Sequence, residues 1–256
     1  MKLPPVEYEA PKTVSEAVEL LAEHQDEASV LAGGQSLIPL LALRLAHPAV
    51  LIDINGIAEL SGVSATGGWV AIGAMTREYV AEESETITDE VPLLAAALPL
   101  IGHEAIRSRG TVGGSLAHAD PAAELPAVAR ALDAEFVVRG PSGERVIPAA
   151  DWFEGFLTTS RRADELLTEV RFPAAGQGMG VSFQEILRIA RPDRHIGEPG
   201  KRQPGIADRA IGKRQRCRQA DNGEITVTAG DLLEADPHAL SRGGEAHLRE
   251  ELVGTA

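Results

Sequence analysis

The sequence predicts an α+β fold, and three observations lead to that prediction. A helical apolar stripe at 14–24 and a strand–helix step at 29–45 occupy the N-terminal part of the chain. Two alternating segments with glycine turns, at 63–75 and 134–147, predict antiparallel hairpins. Because hairpins join antiparallel neighbours, this mixture fits an α+β fold better than a doubly wound parallel sheet.

The N-terminal elements follow from capping and from periodicity. Thr13 and Glu16 have the pattern of a capping box, in which a hydroxyl and a carboxylate each bond to a free backbone amide. The helix at 14–24 has one apolar stripe and is expected to pack on a sheet. Three further elements are predicted here: a strand at 29–31, a helix at 37–45 and a buried strand at 49–54.

The middle of the chain alternates short helices with hairpins. Thr76 is expected to cap a helix at 77–83, and Pro121 is expected to be the first residue of a helix. The other predicted elements are helices at 92–98, 122–132 and 152–156, a hairpin formed by 134–139 and 144–147, and a strand at 166–172 that ends at Pro173.

Composition limits the classes of function. The 256 residues include 44% apolar side chains but no apolar run near the roughly 20 residues of a membrane span. A net charge of −14 argues against nucleic acid as the main partner. The lone Cys217 cannot form an internal disulfide or a self-contained iron–sulfur cluster. Since the N-terminus also lacks an apolar signal core, the sequence predicts a cytoplasmic protein.

The stretch around which the chain is organised is 109–126, RGTVGGSLAHADPAAELP. It is expected to run from a short strand at 111–116 through a polar loop at 117–122 into a helix. The upstream stretch SVLAGGQSLIPLLALRL, at 29–45, also places a Gly–Gly pair between a strand and a helix. Two such loops predict one extended ligand that is held at two places.

Glycine loops of this kind suit a pyrophosphate, because successive amides and a helix N-terminus donate to anionic oxygens. Ser36, Thr111 and Ser115 can add hydroxyl donors, whereas Asp120 and Glu124 suit sugar hydroxyls. Neither a G-x-G-x-x-G motif nor a phosphate-loop motif with lysine is present, which disfavours a Rossmann or P-loop site.

Each of these features also has a purely structural interpretation. Either Gly–Gly pair alone is more often a tight turn, and Asp120 could equally cap a helix. The histidines His24, His103 and His118 lack a second ligand at metal spacing, so they are interpreted as surface or capping residues.

The character of the sequence changes after residue 184. From 188 to 218 there are ten Lys or Arg residues against three acidic residues, and apolar periodicity is lost. One strand at 224–228 and a short helix near 248–252 are predicted there. We expect the region 176–256 to be a diverged and partly disordered segment, or the product of a frameshift.

Five segments carry a resemblance to a known family. They are AGGQSLIPLL at 32–41, LIDI at 51–54, IGAMT at 72–76, IRSRGTVGGSLAHADPAAELP at 106–126 and ELLTEVRFP at 165–173. In this order and spacing they closely resemble the FAD-binding (medium) subunit of molybdenum hydroxylases, which include carbon monoxide dehydrogenase and the xanthine dehydrogenase-type enzymes. The resemblance covers most of 1–183.

The resemblance implies the two-subdomain FAD-binding fold of the vanillyl-alcohol oxidase-like (PCMH) type, with subdomains 1–58 and 59–175 and a truncated or diverged segment at 176–256. It implies FAD as the cofactor, with no metal ligand and no catalytic residue in this chain. The implied pyrophosphate contacts are Ala32, Gly33, Gly34, Gln35, Ser36 and Leu37 from the first subdomain and Ile101, Gly102, Thr111, Gly113, Gly114 and Ser115 from the second. Asp120 and Glu124 match positions near the ribityl and phosphate region.

The resemblance also implies two partners, a molybdopterin-binding large subunit and an iron–sulfur small subunit, in a heterotrimer that can dimerise. Electrons would pass from the molybdenum site through the clusters to FAD and then to an external acceptor. The chain would not act alone, and any membrane association would come through the complex. The lone cysteine agrees with metal held on partner chains.

Two departures from the family pattern leave alternatives open. Arg161 and Arg162 stand where relatives tend to have apolar residues or proline, and the segment after residue 185 lacks the family's usual continuation. The alternatives are a non-catalytic scaffold that keeps the fold without flavin and a stand-alone FAD oxidoreductase of the same fold.

Overall fold

A computed structural model describes residues 3–175 and 180–185 and the backbone of two strands at 215–219 and 225–229. The helices are α1 Val14–His24, α2 Leu37–Leu43, α3 Glu78–Glu82, α4 Glu85–Glu90, α5 Pro92–Ala97, α6 Glu104–Arg107, α7 Val112–His118, α8 Glu124–Ala131 and α9 Ala149–Trp152. The strands are β1 Glu7–Glu9, β2 Ala28–Leu31, β3 Val50–Asp53, β4 Val63–Thr66, β5 Trp69–Gly73, β6 Glu135–Gly140, β7 Gly143–Pro148, β8 Phe153–Gly155, β9 Thr158–Thr159, β10 Leu166–Pro173, β11 Val181–Glu185, β12 Gln215–Gln219 and β13 Ile225–Ala229.

The N-terminal sheet is parallel, with strand order β1-β3-β2. Helix α1 buries its predicted stripe of Val14, Ala17, Val18 and Leu21 against this sheet. Thr13 caps the helix, because its Oγ1 accepts from the Glu16 amide at 3.2 Å. The Glu16 carboxylate accepts from the Lys12 amide instead of the Thr13 amide, so only half of the predicted capping box forms.

The second sheet is antiparallel throughout, with strand order β4-β5-β10-β6-β7. Both hairpins predicted from the sequence are present, as β4–β5 and β6–β7. The predicted strand at 166–172 is β10, which lies at the centre of the sheet and includes Pro173. This mixture of a parallel and an antiparallel sheet with helices is a mixed helix-and-strand fold.

Helix α7 is held against the second sheet by Trp152, a residue of its core. Trp152 is fully buried and stacks on Phe136 with ring centroids 4.3 Å apart. Its indole Nε1 donates to the Leu116 carbonyl of α7 at 3.0 Å. This hydrogen bond satisfies the polar atom of a buried tryptophan and fixes α7 against the sheet.

The expected strand at 111–116 is wrong, since Val112–His118 is a helix. Thr111 caps this helix by accepting from the Gly114 amide at 3.1 Å. An added Cβ at Gly113 would lie 2.5 Å from Ala74 Cβ, so this glycine lets the helix pack directly on the end of β5. The alternation of small residues that indicated a strand is therefore a packing requirement of a helix.

The expected helix start at Pro121 is also wrong, because α8 begins at Glu124. Asp120 Oδ1 accepts from the Ala122 amide at 2.8 Å, which closes a turn before the helix. The expected cap at Thr76 is absent: its hydroxyl bonds to the backbone of Gly62 at 3.0 Å, and Arg77 is the residue that precedes α3.

The expected helix at 152–156 is wrong as well. Helix α9 ends at Trp152, and the next residues form β8, which pairs with β9. Helix α2 is shorter than predicted, because Arg44 adopts a left-handed φ of 62° and ends it after Leu43.

A third sheet has strand order β11-β13-β12. Val181 and Phe183 of β11 pack against the core of the second sheet. The predicted strand at 224–228 corresponds to β13, one residue further along. The helix predicted near 248–252 and most of the region 176–256 lie outside the described residues.

Candidate functional site

A cavity of about 430 Å³ lies between the two main sheets. The loop after β2 and the helix α7 both line it, and Asp120 of the loop before α8 and Glu124 of α8 add acidic side chains. Every predicted site residue except Gly102 lines this cavity. Gly102 adopts a left-handed φ of 48° and packs beside the Ile106 side chain.

The loop after β2 offers free backbone donors to the cavity. Gly34 adopts a left-handed φ of 71°, which glycine reaches without steric cost. Within the described residues, the amides at 33–36 donate to no backbone carbonyl. Gln35 holds the loop closed by donating from Nε2 to the Gly33 carbonyl at 3.0 Å. A short row of unpaired amides is a good receptor for anionic oxygens.

The two glycine segments meet each other closely. A Cβ added to Gly33 would lie 2.4 Å from the Arg109 carbonyl oxygen, so no other residue fits there without a backbone shift. A Cβ added to Gly114 would lie 3.4 Å from Ala32 Cβ. The loops predicted to act on one ligand are therefore adjacent in the structure.

The second glycine pair contributes differently from the first. The amides of Gly113 and Gly114 already donate to the Ala74 carbonyl, at 2.9 Å, and to Thr111 Oγ1, at 3.1 Å. Ser115 also uses its amide internally, since it donates to the Thr111 carbonyl. The expectation that both loops present amides is wrong, because α7 consumes those of the second loop. Its hydroxyls, on Thr111 and Ser115, remain on the cavity wall.

Asn55 and Arg77 bond to the backbone on either side of the contact between Gly33 and Arg109. Sequence reasoning missed both residues. Asn55 Nδ2 donates to the Ala32 carbonyl at 2.9 Å, and Asn55 Oδ1 accepts from Arg77 Nη2 at 2.6 Å. Arg77 Nη1 donates to the Arg109 carbonyl. The available signal in the sequence was Asn55 itself, which lies two residues after the end of the buried strand β3.

Glu78, also missed from the sequence, is a buried carboxyl group on the cavity wall. It is 4% exposed, and its Oε2 has no hydrogen-bond partner. Burial, together with the nearby charge of Glu124, raises the pKa of Glu78 to about 7. The charge of Arg107 opposes this, but Arg107 is itself paired with Glu82 at 2.7 Å. Near neutral pH Glu78 is therefore a mixture of the protonated and the ionised form.

Asp120 and His118 line the cavity beside α7. Asp120 Oδ1 accepts from the Ala122 amide in the turn before α8, and α8 has no side-chain cap, so the alternative of Asp120 as a helix cap is wrong. His118 was interpreted as a surface or capping residue, but it is half-buried on the cavity wall. Burial lowers the pKa of His118, and the charge of Asp120 partly offsets this by raising it.

No group of acidic, histidine or cysteine side chains within the described residues could hold a metal ion.

Residues 4–175 match the family model described as "FAD binding domain in molybdopterin dehydrogenase". The chain is 44% identical over 185 residues to the carbon monoxide dehydrogenase medium chain of Hydrogenophaga pseudoflava, covering 72% of this chain and 64% of the relative. A solved carbon monoxide dehydrogenase from that organism, which lacks the Mo-pyranopterin moiety of the molybdenum cofactor, superposes with a TM-score of 0.69 at 43% identity, covering 75% of this chain and 66% of that chain. Thus the match spans just under two thirds of these proteins.

A longer alignment reaches the C-terminal region. The 6-hydroxypseudooxynicotine dehydrogenase complex subunit alpha of Paenarthrobacter nicotinovorans is 43% identical over 280 residues, covering 100% of this chain and 93% of the relative. This relative therefore aligns along the entire length of the chain. Among the described residues, no helix is both long and apolar enough to cross a bilayer.

Proposed function

The chain belongs to the family of FAD-binding domains of molybdopterin dehydrogenases, and from that premise we propose that it is the FAD-binding subunit of a molybdenum hydroxylase. In this role it receives electrons from iron–sulfur clusters of a partner subunit and passes them through FAD to an external acceptor. Relatives named as carbon monoxide dehydrogenase medium chain and nicotine 6-hydroxylase medium subunit, at 44% and 41% identity, support the proposal.

The observation that carries the proposal is the meeting of two glycine segments on one cavity. Gly33 touches the backbone at Arg109, and the unpaired amides at 33–36 line the same space as Thr111 and Ser115. A diphosphate needs many donors and little bulk, and this wall has both. The residues present therefore fit an extended dinucleotide such as FAD.

Backbone amides and side chains then have distinct roles. The amides at 33–36 bind the diphosphate oxygens, and the hydroxyls of Thr111 and Ser115 add donors from α7. Asp120 and Glu124 accept from ribityl or ribose hydroxyls. Bound FAD supplies the redox chemistry, because it exchanges electrons one or two at a time. The protein positions the flavin and excludes bulk water from it.

We further propose that residues 1–58 and 59–175 are the two subdomains of a PCMH-type FAD-binding fold, followed by a distinct C-terminal region. A molybdopterin-binding large subunit and an iron–sulfur small subunit complete the heterotrimer. The words "medium chain" and "subunit" in the relatives' names support this assembly. The complex is expected in the cytoplasm.

The test is the flavin content of the full-length chain, alone and co-expressed with its neighbouring subunits. We expect one non-covalent FAD per chain, detected by the flavin absorption bands and by release of FAD on heat denaturation. A folded chain that binds no added FAD would refute the proposal and favour a scaffold. Substrate oxidation by the chain without partners would instead favour a stand-alone oxidoreductase.

A further inference from the structure

Arg161 lies on the wall of the cavity, in the segment between β9 and β10. Its Nη1 donates to the carbonyl oxygens of Arg162, at 2.8 Å, and Glu165, at 2.6 Å. Within the described residues, Nε and Nη2 of Arg161 have no hydrogen-bond partner. The buried side-chain atoms without a partner in that part of the chain are Glu78 Oε2 and Ser160 Oγ, so Nε and Nη2 are not buried. These donors are therefore accessible from the space that Arg161 lines.

Arg161 is also the single lysine or arginine among the described residues of the cavity wall. The acidic side chains there are Asp26, Glu78, Asp120, Glu124 and Glu165. Glu165 does not neutralise Arg161, because its carboxylate pairs with Arg145 at 2.7 Å. Burial lowers the pKa of Arg161 and the acidic neighbours oppose this, so the guanidinium keeps its charge.

Arg161 and the free amides lie toward different ends of β2. The charge of Asp26 acts on Arg161, and Asp26 precedes β2, whereas Gly33 and Gly34 follow it. The 4 residues of β2 extend over roughly 13 Å at about 3.3 Å per residue. The two features are thus suited to different parts of an extended dinucleotide, the amides to its diphosphate and Arg161 to a part beyond it.

The parts of FAD beyond its diphosphate are two sugars and two flat ring systems. A guanidinium that is held at one nitrogen and half-buried has a planar face to offer, and it is weakly hydrated enough to stack on an aromatic ring. Resting on the proposed FAD function, we propose that Arg161 is a cofactor contact whose guanidinium lies flat against one ring system of FAD, the adenine or the isoalloxazine.

The test is titration of the flavin-free, full-length protein with FAD. Arg161→Ala should bind FAD about 3- to 30-fold more weakly than the wild type, which is the fold-change of a cation–π contact. Arg161→Lys should restore binding only in part, because an ammonium keeps the charge but lacks the planar face that stacks on a ring. The matched control is Arg162→Ala: Arg162 is exposed, does not line the cavity, and should leave affinity unchanged.

Titration with FMN, which lacks the adenosine half, identifies the ring. If the adenine is the partner, Arg161→Ala weakens FAD binding alone. If the isoalloxazine is the partner, both flavins bind more weakly and the absorption bands of the bound flavin shift. Arg161→Gln keeps a donor for the Glu165 carbonyl, so it serves if the alanine variant fails to fold; it too should bind FAD more weakly.

Two results would overturn this inference while the FAD function stands: alanine and glutamine variants that bind FAD as tightly as the wild type, or full recovery in Arg161→Lys with strong dependence on salt. The second result would mean an ion pair with phosphate. A wild type that binds no FAD would instead refute the proposed function.

Discussion

Asn55 and Arg77 join the two main sheets through a hydrogen bond of 2.6 Å between Arg77 Nη2 and Asn55 Oδ1. The same two side chains hold the carbonyls of Ala32 and Arg109, which flank the point where Gly33 meets the second glycine segment. One polar pair therefore sets the spacing of the two loops that form the cavity.

The first prediction concerns this pair. Asn55→Ala should destabilise the protein by about 1–2 kcal/mol and weaken FAD binding about tenfold, since the Ala32 carbonyl loses its donor. Arg77→Ala should have a similar effect. In a double-mutant cycle measured by thermal unfolding, the two changes should couple by about 0.5–2 kcal/mol. Strict additivity would show that the pair does not act as a unit.

The second prediction concerns Gly33. Gly33→Ala places a Cβ 2.4 Å from the Arg109 carbonyl oxygen, so the two sheets must move apart or the loop must distort. We expect a loss of about 1–3 kcal/mol in the free energy of unfolding together with a loss of FAD affinity. Denaturant unfolding and FAD titration measure both.

Gly155→Ala is the matched control, because nothing lies within 4 Å of an added Cβ there. It should leave both quantities nearly unchanged. Equal stability of the Gly33 and Gly155 variants would contradict the close contact between the loops.

The third prediction is a pH dependence that arises from Glu78. Its pKa in the folded protein, about 7, lies above the ordinary value of 4.5, so folding favours the protonated form. The stability that this gives is fully present below pH 4.5 and is lost as pH rises through 7. Glu78→Gln removes the ionisation and should stabilise the protein by up to about 3 kcal/mol at pH 8.

The gain should shrink to below about 1 kcal/mol at pH 5. Thermal unfolding of wild type and variant at both pH values measures the difference. Glu19→Gln, the same change on the exposed side of α1, should show no such trend. A gain at Glu78 that is independent of pH would exclude ionisation as its cause.

The fourth prediction concerns the hydroxyl of Ser115. As a donor to FAD it should contribute about 1–2 kcal/mol, so Ser115→Ala should weaken FAD binding roughly 5- to 30-fold with little change in melting temperature. Ser108→Ala is the control, because Ser108 bonds to the Ala105 carbonyl and does not line the cavity. Unchanged FAD affinity in Ser115→Ala would remove this residue from the proposed site.

Much of the outline could be predicted locally. The stripe of α1, both hairpins and β10 follow from periodicity and turn residues, and the structure confirms them. The stretch at 111–116 was misassigned because Gly113 and Gly114 have poor intrinsic helix propensity. Contact with Ala74 and the cap at Thr111 decide its conformation, and neither is visible in a window of six residues.

By itself the sequence determined the family and its cofactor, because the segments 32–41 and 106–126 contain glycine, hydroxyl and acidic residues in a characteristic order. Only the tertiary structure decided which of these residues supply free hydrogen-bond donors to the cavity. It showed that the first loop keeps its amides free while α7 uses those of the second, and that Asn55, Arg77, Glu78 and Arg161 support or line the cavity. The physical reason is that hydrogen-bond satisfaction and burial depend on segments far apart in the chain, and only folding brings those segments together.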